Sequence, residues 1–179
     1  MIHSLKDFNL RPIEPKDIDA LYVMKNAPEI ASLLGGFSAG YSMADIRDWI
    51  DNHRKRNDEV IWAISRSTND DCVGHVGLYK IDHRVQSCEY AILIGVQALW
   101  GEGLGTKCTR YAINYAFSEL NLNRISLSLL KENIRALALY RKLGFNEEGL
   151  LRQAQFKNGR YLDVILMSLL KSEYNYEHA

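Results

Sequence analysis

Apolar and polar positions along the chain fall into two periods, and the points where the period changes mark out its elements. Alternation and short apolar runs read as strands, whereas spacing of three and four reads as helix. Residues 8–13 form a first short strand. Pro15, a favoured first-turn residue, opens a helix patterned on Ile18, Leu21, Tyr22 and Lys25. A second helical piece starts near Pro28 and stops at Gly35 and Gly36, where residues 35–41 make a loop carrying Phe37 and Tyr41. Ser42 and Asp45 have the form of a capping box, with Asp in place of Glu or Gln, ahead of a stripe at Ile46, Trp49 and Ile50. The polar run 53–58 closes that helix.

From Val60 the period shortens. Residues 60–65 read as a strand and 67–71 as a turn, and residues 72–82 and 87–94 read as two strands of an antiparallel hairpin. In the second of these, Glu89, Ala91 and Leu93 share one side, while Cys88, Tyr90, Ile92 and Ile94 share the other. The apolar run then meets Gly101, Gly103 and Gly105, and a helix follows with Leu104, Cys108, Tyr111, Ala112 and Tyr115 on its inner face. Residues 124–130 make the next strand. A helix within 131–145 ends at Gly144, a natural residue for the position just past a helix. Two closing strands meet at Lys157-Asn158-Gly159, and Asn-Gly is a strong hairpin signal. The polar end, 172–179, reads as a tail that frays.

Composition narrows the classes. A chain of 179 residues, 47% hydrophobic and 25% charged, has the make-up of one globular domain, with no repeat or linker dividing it. Lys plus Arg and Asp plus Glu both total 22, so bulk charge draws the chain to neither nucleic acid nor an anionic membrane. The start lacks the pattern of a secretory signal, and no stretch has the apolar length of a membrane span, so a cytoplasmic protein is expected. Cys72, Cys88 and Cys108 lack metal-ligand spacing and sit in apolar surroundings, which suits reduced core thiols. No metal site is expected.

The three glycines carry the candidate chemistry. They let the backbone approach a ligand closely, and the first N–H groups of the following helix have no partner inside it. Main-chain donors at the positive end of a helix dipole suit a phosphate-bearing ligand. The stretch is not a P-loop, because Gly105-Thr106-Lys107 lacks the Gly-Lys-Ser/Thr order. Its G-x-G-x-G spacing after antiparallel strands also departs from the dinucleotide fingerprint.

Residues 100–105 resemble motif A of the GNAT acetyltransferases, with Trp100 where Arg or Gln is typical and with both glycine positions, Gly103 and Gly105, matched. Residues 133–145 resemble that family's motif B, N-x-x-A-x-x-x-Y-x-x-x-G-F, in full. The resemblance covers most of the chain and points to the RimJ/RimL-type branch, which also includes polyamine and amino-sugar acetyltransferases. It implies an α/β protein of GNAT fold, with a mostly antiparallel sheet of six to seven strands, splayed middle strands and about four flanking helices. It also implies acetyl-CoA as cofactor and a family tendency to homodimers.

The site roles follow from that resemblance. The pyrophosphate is expected on the N–H groups of Gly101, Glu102, Gly103, Leu104, Gly105 and Thr106, beside Trp100. The pantetheine arm is expected along the backbone of Ile92, Leu93 and Ile94, with Asn133 bonding the cofactor. Tyr140 is the expected general acid for the leaving thiolate, because a hydroxyl there can supply a proton. Glu89 is the candidate base, acting directly or through water, and a main-chain N–H near Leu93 and Ile94 would meet the developing oxyanion. Phe37, Tyr41 and Asp163 are candidate acceptor contacts, although a structural hydrogen bond or a subunit contact suits Asp163 better. The expected reaction is direct attack of a primary amine on the thioester. The acceptor is a protein N-terminus or a small amine, with polyamines and amino sugars as further options. A non-catalytic acyl-CoA-binding protein is the alternative.

Overall fold

In the computed structural model, residues 2–34 and 40–175 are described, so Phe37 and the end of the tail lie outside the described residues. Two short strands, β1 (His3–Ser4) and β2 (Phe8–Pro12), lead into helices α1 (Ile18–Asn26), α2 (Pro28–Leu33) and α3 (Met43–His53). The antiparallel run β3 (Val60–Arg66), β4 (Cys72–Asp82) and β5 (Ser87–Ile94) follows, and then α4 (Leu104–Asn114). The chain closes with β6 (Arg124–Leu130), α5 (Ile134–Lys142), β7 (Asn146–Lys157) and β8 (Arg160–Leu170).

These strands form one sheet of eight, in the order β1-β2-β3-β4-β5-β6-β8-β7. The expectation of six to seven strands is corrected by β1, a two-residue polar pair with no period of its own to reveal it. Five α-helices are described where about four were expected.

Alternation along β3 separates the two faces. Trp62 and Ile64 join α4 and α5 in the larger core, while Ile61 and Ala63 join α1 and α3 in the smaller one. The capping box at α3 forms: Ser42 Oγ accepts from the Asp45 N–H at 3.1 Å, and the Ser42 N–H donates to Asp45 Oδ2 at 2.7 Å. In the closing hairpin, Asn158 and Gly159 both take positive φ, 49° and 77°, the combination a two-residue hairpin turn requires. The start of α1 is anchored by Arg11, whose guanidinium donates to both oxygens of the buried Asp17 carboxylate at 2.7 and 2.8 Å. The same guanidinium reaches Asp70 at 2.7 Å.

All strand pairs are antiparallel except β5 with β6. That parallel ladder covers only Ser87, Cys88 and Glu89, opposite Arg124, Ile125 and Ser126. Beyond it β5 continues against β4 to Ile94, and β6 continues against β8 to Leu130. The middle of the sheet therefore opens into a wedge.

Candidate active site

The glycine loop, the end of β5 and α5 meet at this wedge. Gly101 and Gly103 take positive φ, 86° and 81°, and a Cβ at either would point into open space. The loop is thus held by backbone conformation rather than by crowding, and its open side is available to a ligand. The first main-chain bond of α4 joins the Lys107 N–H to the Gly103 carbonyl at 3.1 Å. The N–H groups of Leu104, Gly105 and Thr106 therefore precede the helical ladder and suit an anion.

Both sequence motifs converge at this point. A Cβ on Gly105 would lie 3.5 Å from Leu139 Cδ2 of α5 and 3.7 Å from Ile94 Cδ1 of β5. Beneath the loop, Tyr90 Oη and Thr109 Oγ1 are 2.7 Å apart, and Thr109 Oγ1 donates to the Gly105 carbonyl at 2.7 Å. This buried chain ties β5 to the first turn of α4. Sequence reading missed it, since neither Tyr90 nor Thr109 belongs to a motif.

Trp100 has a defined place in this arrangement. Its indole Nε1–H donates to the Ile94 carbonyl at 2.8 Å, and the Arg135 guanidinium stands over its ring at 4.8 Å. The indole thus joins the glycine loop to the end of β5, while Arg135 adds a cation from α5. One acceptor of the strand expected to pair with pantetheine is therefore already engaged. Trp100→Phe keeps an aromatic ring but removes this bond. It should weaken acetyl-CoA binding roughly threefold to tenfold at a stability cost of about 1 kcal/mol. Calorimetric titration would check it, and unchanged affinity would exclude a loop-fastening role.

Tyr140 is buried at 6% exposure, edge-on to Tyr90 with ring centroids 6.1 Å apart and 5.6 Å from Phe145. Burial pushes its phenol well above the ordinary value, so it stays protonated. Asn133 caps α5: its Oδ1 accepts from the Ala136 N–H at 3.1 Å, and its Nδ2 donates to the Leu33 carbonyl at 3.4 Å. Much of its side chain thus serves the fold.

Glu89 is exposed on the opposite face of β5, and its Oε1 accepts from Lys80 Nζ at 2.8 Å. Asp163 is engaged within the fold. It accepts from the Gln153 N–H at 3.0 Å and from Lys131 Nζ at 3.3 Å, which together hold its carboxyl below the usual range, the Gln153 bond most. That is the structural option expected for it. Tyr41 is exposed but fastened to α1 by Asn26. The three cysteines are free, and burial pushes the Cys88 and Cys108 thiols up to about 12.

An α/β protein that opens its sheet beside an amide-rich helix start is built to hold an extended, phosphate-bearing ligand between two strands. Residues 7–146 match the family model described as acetyltransferase (GNAT) domain, and the chain belongs to the GNAT acetyltransferase family. The spermidine N(1)-acetyltransferase of Escherichia coli (strain K12) is 32% identical over 177 residues, covering 98% of this chain and 91% of that one. That of Vibrio cholerae is 32% identical over 166 residues, covering 92% and 94%. A crystal structure of spermidine N-acetyltransferase from Vibrio cholerae in complex with CoA and spermine superimposes with a TM-score of 0.85 at 30% identity, covering 94% of this chain and 98% of that one. These relatives correct the narrower resemblance: they carry spermidine acetyltransferase names rather than RimJ/RimL ones. Acetyl-CoA is the family's cofactor, and the open loop amides and the wedge fit its phosphates and its arm. Among the described residues no helix is long and apolar enough to cross a membrane.

Proposed function

We propose that this chain transfers an acetyl group from acetyl-CoA to a primary amine of a small aliphatic polyamine. The observation that carries the transfer is the wedge between β5 and β6, with the glycine loop at one end and the protonated Tyr140 beside it. The polyamine class is supported by relatives whose names specify spermidine over nearly the whole chain. A protein N-terminus has no such support. The domain is read as spanning residues 1–179 and the protein as cytoplasmic. The exposed apolar groups Leu150, Leu151, Phe156 and Tyr161 on the closing hairpin, whose β7 is the edge strand, suit a second copy of the chain.

Acetyl-CoA supplies an activated acetyl thioester. The backbone of β5 near Ile92, Leu93 and Ile94 would align it, and a free N–H there would meet the charge that develops on the carbonyl oxygen. Gly101 to Thr106 would hold the phosphates. An aliphatic amine with a pKa of about 10.4 is neutral in only about one molecule in 2,500 at pH 7, so a proton acceptor accelerates attack. Glu89 takes that role here, through water, from the exposed face of β5. Tyr140 donates a hydrogen bond to the sulfur as the carbon–sulfur bond breaks. Its raised pKa makes complete transfer to a thiolate uphill, so the net proton on the released thiol comes from the acceptor ammonium.

Glu89→Gln should lower kcat/KM for spermidine by about 100-fold near pH 7. The deficit should shrink toward pH 10, where the amine sheds its own proton. A pH-independent deficit, or none, would remove Glu89 as base. The reading as a whole is tested by thiol release from acetyl-CoA with polyamines, amino sugars, amino acids and N-terminal peptides offered in parallel. Spermidine and spermine should react fastest, and a preference for peptides would overturn the acceptor class.

A further inference from the structure

The face of β5 that carries Glu89 and Leu93 also holds an arrangement that the glycine loop and Tyr140 do not use. Lys25, on α1, sets its Nζ 4.1 Å from the centroid of the Trp49 ring and 5.4 Å from that of Tyr41. Tyr41 is held there by Asn26: the Tyr41 N–H donates to Asn26 Oδ1 at 2.8 Å, and Asn26 Nδ2 donates to the Tyr41 carbonyl at 3.0 Å. The His75 ring lies 5.0 Å from Trp49. His75 is only 7% exposed, and its Nδ1 has no hydrogen-bond partner among the described residues. A buried imidazole nitrogen without a partner is costly unless something else satisfies it.

This cluster reaches β5 from the β4 side, one strand away from the wedge. His75 pairs directly across the sheet with Leu93. Met24, next to Lys25, packs on Leu93 and lies so close to the end of β5 that a Cβ on Gly95 would be 2.0 Å from Met24 Cγ. The cluster therefore meets, through His75 and Leu93, the strand expected to align the thioester, on the face of β5 that carries the exposed Glu89.

Lys25 is an odd occupant. Burial lowers its pKa to about 8, and among the described residues no carboxylate opposes that shift. Its partners are ring faces, which attract ammonium groups through the aromatic quadrupole. A primary alkylammonium on a four-carbon stem is also what a polyamine presents at each end.

We infer that Trp49 and Tyr41 form an ammonium subsite of the acceptor pocket, which receives a non-reacting cationic nitrogen of an aliphatic polyamine and which Lys25 occupies until the acceptor displaces it. The neutral His75 imidazole offers Nδ1 as an additional acceptor for the incoming N–H. The inference rests on the amine-acceptor reading above and deepens it. Lys25 then acts as a built-in competitor: replacing it with an uncharged side chain takes the resident cation off the rings and lifts a like charge from the pocket.

The test is calorimetric titration of spermidine into the full chain without acetyl-CoA, paired with steady-state kinetics. Lys25→Met should bind spermidine about tenfold more tightly and lower its KM by a similar factor, with kcat and acetyl-CoA affinity within twofold of the parent. Adding Tyr41→Leu to Lys25→Met should reverse most of that gain. Tyr41 is exposed, so this second change does not endanger the core. Trp49→Leu in the same background should do likewise. Unchanged or weaker binding by Lys25→Met, or no reversal by Tyr41→Leu, would overturn the subsite. If wild type still turns over spermidine in that case, the amine-acceptor reading stands by itself. Tighter binding by Lys25→Met with no acetylation by any variant would support the subsite and overturn that reading.

Discussion

Tyr140→Phe is expected to lower kcat for amine acetylation by about 100-fold while leaving acetyl-CoA affinity within twofold of wild type. The size follows from what the proposed mechanism loses, the hydrogen bond that Tyr140 gives to the leaving sulfur. The clean separation follows from the surroundings. Tyr140 packs through its ring against Tyr90 and Phe145, and phenylalanine retains those contacts. Its hydroxyl makes no hydrogen bond to another described residue, so the substitution leaves no buried partner unsatisfied and the unfolding midpoint should hardly move. The pH dependence has a definite sign. Because burial raises the Tyr140 pKa, the donor form persists as pH rises, and wild type should show no fall in kcat from tyrosine ionisation up to about pH 10. A descending limb between pH 8 and 9 that disappears in Tyr140→Phe would contradict this assignment, as would equal kcat for the two proteins.

Arg11→Met is expected to have the largest effect on stability, about 3–5 kcal/mol. Its partner Asp17 is buried, with side-chain exposures of 5% for Arg11 and 2% for Asp17, so removing the guanidinium strands a carboxylate away from water. One compensating bond remains, from the Glu14 N–H to Asp17 Oδ2 at 2.9 Å. Native proteins stand only about 5–15 kcal/mol above unfolding, so the variant should be strongly destabilised in urea titration. Arg11→Met combined with Asp17→Asn should recover part of the loss, since the uncompensated charge disappears. A double variant no more stable than the single would mean that lost packing, not the stranded charge, dominates.

Much of this architecture was legible in the residue pattern. The extents read for residues 72–82, 87–94 and 124–130 coincide with β4, β5 and β6, because alternation and flanking turn residues are local signals. The glycine loop and the 133–145 motif were legible for the same reason. Pairing was harder to read. Nothing in β5 or β6 alone says that their ladder stops after Glu89, because register belongs to two distant segments at once. The bond from Trp100 to Ile94 and the chain through Tyr90, Thr109 and Gly105 were hidden likewise. In the sequence Lys25 is one position of a helical stripe, and only the approach of α3 and β4 turns it into a cation among rings. Asp163 shows the converse: a carboxylate in an apolar strand signals a partner, and the structure supplies the Gln153 N–H and Lys131.

Acetyl transfer from acetyl-CoA to a small aliphatic polyamine is the central proposal for this chain. The most direct measurement follows free thiol release from acetyl-CoA with spermidine as acceptor, together with mass analysis of the amine. One thiol should be released per spermidine that gains an acetyl group, at a rate lowered by both Tyr140→Phe and Glu89→Gln. Tight acetyl-CoA binding with no spermidine-dependent thiol release would contradict it.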